Sequence, residues 1–63
     1  MNSVKIVYWE EDGGWLGYVQ DYPDYWTQGQ SLDELHEHLK DLYQELTSGT
    51  IPGVRKVDDL MLS

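Results

Sequence analysis

The 63-residue chain contains no cysteine, which excludes disulfides, thiolate zinc sites and catalytic thiols together. Basic residues are scarce as well: four Lys and Arg stand against twelve Asp and Glu, a formal net charge of −8. The phosphate contacts that dominate nucleic-acid affinity need clustered cations, and the neighbours Arg55 and Lys56 do not make a patch. No run approaches the roughly 18 apolar residues of a membrane span. The start, "MNSVKIVYWEE", lacks the basic region and apolar core of a secretory leader. There is also no glycine loop to cradle phosphate, no nucleophile elbow and no Ser/His/Asp spacing. The expectation is a soluble, cytoplasmic protein that is not an enzyme, holds no cofactor or metal, and makes no direct contact with nucleic acid or membrane. A chain this short buries only about 60% of the surface its unfolded form exposes, so stability must come from one small core in a single domain spanning residues 1–63.

What is present is patterned. Val4 to Glu10, "VKIVYWE", is rich in β-branched and aromatic residues and runs into Glu11-Asp12-Gly13-Gly14, a strong turn signal. Trp15 to Asp21 is its hairpin partner. Pro23 then interrupts strand pairing by removing a backbone donor, and Tyr25 to Gln28 form a third, short strand. Ser31 starts a helix: its hydroxyl caps a first-turn amide while Glu34, three residues on, reaches back. Leu32, Leu35, Leu39, Leu42 and Leu46 follow at intervals of three and four, which places them on one stripe, with Leu35, Leu39 and Leu42 at the middle of the core. Gly49 is a left-handed stop, and Pro52-Gly53 prevents continuation. Val54 to Leu62, "VRKVDDLML", reads as a final strand. The order predicts an α+β, two-layer β-β-β-α-β domain: an antiparallel meander, one packed helix and a C-terminal strand.

One helix covers one face of a sheet, yet these strands are apolar on both. Val4, Ile6 and Tyr8 alternate with Val7 and Trp9, and Trp15 and Val19 alternate with Leu16 and Tyr18. The pattern predicts self-association through the uncovered face, an edge strand, or both, with a dimer as the simplest assembly. The segment "DYPDYWTQG" (21–29) is first a device for turning the chain: Pro23 fixes its φ, Asp24 bonds its own backbone and Gly29 permits unusual backbone angles. Its aromatics Tyr22, Tyr25 and Trp26 suit either the core or a recognition edge. His36 and His38 point about 200° apart on a helix, so one metal ion cannot use both. Glu10, Glu11 and Asp12 on the hairpin, and Asp58 and Asp59 near the C-terminus, have nothing to fix their separation and read as solvated charge.

The Asp-Gly-Gly hairpin turn, the Asp21-Tyr22-Pro23 turn, Thr27-Gln28-Gly29 and then Ser31-Leu32-Asp33-Glu34-Leu35 together resemble the HicB-like antitoxin domain of prokaryotic type II toxin–antitoxin systems. The resemblance covers residues 4 to about 48. In that family the second strand ends in an Asp-Leu-Pro-Gly-Cys type of turn, followed by Thr-x-Gly-Asp-Thr and an acidic helix start. Here Asp24 and Tyr25 stand where Gly and Cys are usual, and His36 stands where Ala is common. The resemblance implies a trimmed ribonuclease H-like fold without catalytic carboxylates and a role in binding a small basic mRNA-cleaving toxin of the HicA type. With no separate DNA-binding domain, autonomous operator binding is not expected. Trp9, Trp15, Tyr25 and Trp26 are the expected toxin-binding aromatics, and Asp21 and Asp24 the carboxylates expected to pair with toxin Lys or Arg. The alternative is a homo-oligomeric structural or regulatory subunit without a toxin partner.

Overall fold

The computed structural model describes residues 3–49 and 51–62. Its elements are β1 (Ile6–Glu11), β2 (Gly14–Val19), β3 (Trp26–Gly29) and α1 (Leu32–Thr47), a small α+β arrangement with the three strands in sheet order β1-β2-β3, all antiparallel. The hairpin between β1 and β2 closes in two residues. Asp12 (φ 53°) and Gly13 (φ 79°) both take positive φ, which gives the primed turn whose twist matches that of the flanking strands. Because only these two residues turn, Glu11 and Gly14 still pair, and the register runs Trp9↔Leu16, Val7↔Tyr18 and Ile6↔Val19.

The chain leaves β2 through a second tight turn. The Tyr22 N–H donates to the Val19 carbonyl at 2.8 Å, and the Tyr25 N–H donates to the Tyr22 carbonyl at 3.2 Å. Pro23 and Asp24 occupy the two central turn positions, where a fixed φ and a short polar side chain are favoured. Helix α1 begins as its sequence dictates. The Ser31 hydroxyl accepts from the Glu34 N–H at 3.1 Å, and the Glu34 carboxylate accepts from the Gln30 N–H at 3.2 Å, one residue earlier than in the usual capping box. At the other end Ser48 is the C-cap and Gly49, at φ 83°, turns the chain away.

Leu35, Leu39 and Leu46 are buried together with Val19 and Tyr22, and Ile6, Trp15, Tyr25, Leu32, Leu42, Tyr43, Ile51 and Val54 pack around them. Leu46 therefore takes the central place expected for Leu42, which is half-buried. Leu42 lies one turn beyond His38, whose Nδ1–H donates to the Gln28 carbonyl of β3 at 2.6 Å. That side of the stripe faces the sheet's short edge strand, and Leu42 overhangs it.

The helix approaches the sheet closely because two strand positions have no side chain. A Cβ on Gly29 would lie 2.6 Å from the Leu35 amide nitrogen and 3.0 Å from its Cα, while one on Gly17 would lie 2.8 Å from the Val7 carbonyl and 3.3 Å from the Leu35 side chain. Gly29 is thus required for room; positive φ belongs to Gly13, Gly49 and Gly53.

The expected C-terminal strand is not formed. Residues 54–62 form neither strand nor helix. Ile51 and Val54 still pack on the lower end of the core, and the Val57 N–H donates to the Asp21 carbonyl at 3.0 Å. Beyond that point the segment has no ladder partner among the described residues. The Asp59 N–H turns instead to the Asp58 side chain at 2.8 Å, a local bond of the kind that competes with strand pairing.

Candidate functional site

The pleat sorts the strand residues into two sets. Ile6, Tyr8, Trp15, Val19 and the two close-approach glycines face α1. Val7, Trp9, Leu16, Tyr18, Trp26 and Gln28 face the other way, as the paired positions Val7↔Tyr18↔Trp26 and Trp9↔Leu16↔Gln28 require. No described element covers this second face.

Its centre is an aromatic cluster drawn from all three strands. The Trp9 and Trp26 rings meet edge to face at 5.2 Å and 85°, Trp9 meets Tyr18 at 6.2 Å and 68°, and Tyr18 stacks on Trp26 at 6.3 Å and 19°. Such offset and edge-on pairs exploit the ring quadrupoles and are worth about 0.5–1.5 kcal/mol each beyond burial. Two hydrogen bonds fix the orientation of the indoles. Trp26 Nε1–H donates to the Pro23 carbonyl at 2.8 Å, tying the ring back across the turn, and Trp9 Nε1–H donates to the Glu11 carboxylate at 3.3 Å. Even so, Trp26 remains 59% exposed and Val7 38%. The result is a pre-ordered apolar surface, with Glu11 and Asp12 at the hairpin end and Asp21 and Asp24 at the other.

The six expected site residues divide between the two sides. Trp9 and Trp26 are together on the open face. Trp15 lies on the helix side, 5.9 Å from the Tyr8 ring, and packs against the core. Tyr25 also packs against the core, and its hydroxyl accepts from the Arg55 N–H at 3.3 Å. Of its neighbours in the turn, Tyr22 is buried and meets Tyr43 edge to face at 6.2 Å, so the loop aromatics serve both core and surface. Asp21 is exposed and its carbonyl anchors Val57. The Asp24 carboxylate already has a cation, the Arg55 guanidinium at 3.2 Å, in a pair whose members are 49% and 81% exposed. An ion pair so open to water holds by about 1 kcal/mol or less, and a partner's Arg could replace it. Sequence reasoning left Tyr18 out of the cluster. The signal was available: a two-residue turn at Asp12-Gly13 sets Tyr18 opposite Val7, and strand alternation then puts it on the face of Trp9.

The two histidines diverge as their spacing requires. His36 meets the Tyr8 ring edge to face at 6.4 Å, whereas His38 is tied to Gln28. Among the described residues no three His, Cys, Asp or Glu side chains are grouped to hold a metal ion, and no helix is long and apolar enough to cross a membrane. No protein-family model, no curated protein and no solved structure matches the chain.

Proposed function

We propose that this protein is an antitoxin-like binding protein that captures a small basic RNA-cleaving protein of the HicA type on its open sheet face and blocks that protein's access to RNA. The observation that carries this reading is the Trp9–Tyr18–Trp26 cluster, held by ring contacts and by hydrogen bonds of its two indoles, with Trp26 left 59% exposed, on a chain of net charge −8. The resemblance of residues 4 to about 48 to the HicB-like domain supplies the class of partner. Aromatic side chains with few rotatable bonds, held in place before binding, are favoured interface anchors. At 59% exposure, Trp26 has roughly 120 Å² still to bury, worth about 3 kcal/mol. Acidic residues at both ends of the cluster would steer a cationic partner to it and pair with its rim. Asp24, on this reading, exchanges Arg55 for a partner cation, while Trp15 and Tyr25 support the surface from behind.

The test is coexpression with the small basic protein of the adjacent reading frame, followed by copurification and an RNA-cleavage assay with and without this chain. A stable complex that suppresses cleavage is expected. Raising salt from about 50 to 200 mM should slow association more than it speeds dissociation, because screening acts on steering first. No complex and no protection, with both proteins folded, would reject the antitoxin reading and leave the self-assembling subunit as the better one.

A further inference from the structure

A second apolar surface lies at the opposite edge of the helix layer. Between the outer edge of β1 and α1 is an open groove of about 330 Å³, walled by Val4, Ile6 and Val19 on the strand side and by Leu39, Lys40 and Tyr43 on the helix. β1 pairs with β2 on one side only, so the strand bordering this groove offers unpaired backbone donors and acceptors among the described residues. Such an edge is a template for another strand. The molecule also carries a segment with no seat of its own. Leu60, Met61 and Leu62 are 83%, 82% and 87% exposed and Val57 is 51% exposed.

We propose that Val57–Leu62 of one copy lies along the β1 edge of a second copy, with Leu60 and Leu62 filling the groove, and that the exchange is reciprocal. Length, pattern and charge all fit. Six extended residues span about 20 Å, the reach of the six-residue β1. In a strand, Asp58, Leu60 and Leu62 point to one side, while Val57, Asp59 and Met61 point to the other. Apolar residues on both sides suit a strand covered on both, the first set by the groove and the second beside Val7 of the open face. Asp58 then faces the wall that carries Lys40, one of only four basic residues in the chain.

The recipient is a second copy because the segment is anchored elsewhere on its own chain and none of Val57–Leu62 lines its own groove. Arg55 is held by Tyr25 and Asp24 and Val57 by the Asp21 carbonyl. Beyond Val57 the side chains of Leu60, Met61 and Leu62 stay exposed. The exchange needs no basic partner and leaves the Trp9–Tyr18–Trp26 face accessible.

Sedimentation equilibrium of the full chain across the micromolar range tests the exchange. The wild type should show a species at twice the 7.4 kDa monomer mass. In Leu60→Asp/Leu62→Asp the dimer dissociation constant should rise by at least about tenfold for each leucine lost, with thermal unfolding of the monomer unchanged because both side chains lie outside the core and are largely exposed. Lys40→Glu should weaken the dimer and Lys40→Glu/Asp58→Lys should restore it. Since the chain has no cysteine, Lys40→Cys/Asp58→Cys reports the geometry directly: oxidation should yield a disulfide-linked dimer. A wild-type monomer, a disulfide closing within one chain, or a dimer that survives the leucine changes but dissolves on Trp26→Ala would each overturn the proposal.

Discussion

The two faces of this sheet are built from the same three strands and both carry aromatic residues, yet they differ in what meets them. On one face Ile6, Trp15 and Val19 pack with a helix that Gly29 admits to backbone contact. On the other, Trp9, Tyr18 and Trp26 pack on one another with no element above them, and Trp26 stays exposed. An aromatic residue is therefore no guide to core or surface until its pairing register is known. The covered face carries the buried core; the open face is ordered by ring contacts and two indole hydrogen bonds outside that core, an arrangement that suits a recognition surface.

If that division is right, substitutions on the covered side should cost most. Leu39→Ala removes buried methyl groups from the centre of the core and should lower the free energy of unfolding by about 2–5 kcal/mol, enough to unfold much of a marginal 63-residue chain; urea denaturation followed by far-UV circular dichroism measures it. Gly29→Ala should follow, at about 1–3 kcal/mol, because the added Cβ meets helix backbone that cannot step aside. Ser31→Ala deletes the cap on Glu34 and should cost about 1 kcal/mol in the same assay. Trp26→Ala comes from the open face and should cost roughly 1 kcal/mol, the worth of its ring contacts. At the small end, Asp24→Asn should change stability by no more than about 0.5 kcal/mol, since the pair with Arg55 is largely in solvent. A larger loss from Trp26→Ala than from Leu39→Ala would invert the assignment of the faces.

Much of this was legible in the residues. Asp12-Gly13 dictated a two-residue turn, Ser31 with Glu34 dictated where the helix starts, and the leucine spacing dictated which side of it is buried, because each is a local rule satisfied within a few residues. The two-sided apolar pattern likewise announced a face that one helix does not cover. What sequence could not rank was anything set by the edges of the sheet. Leu42 belongs to the stripe but overhangs β3, whose four-residue length no local rule specifies, so Leu46 is the more buried. The requirement for Gly17 comes from neighbours distant in sequence, the Val7 carbonyl on β1 and the Leu35 side chain on α1. Val54–Leu62 has strand composition, yet a strand exists only beside another, and past Val57 none is offered within the chain. Of the expected residues, Trp9 and Trp26 share the open face; Tyr18, which was not among them, lies beside them once the hairpin register is written out.

The most direct measurement pairs stability with binding in one protein, Trp9→Ala/Trp26→Ala, compared with the wild type. Urea unfolding should remain cooperative, with a loss smaller than that of Leu39→Ala, while copurification with the small basic neighbour is abolished. A double variant that stays folded and still retains the partner, or one that unfolds as Leu39→Ala does, would contradict the division of the sheet into a folding face and a recognition face.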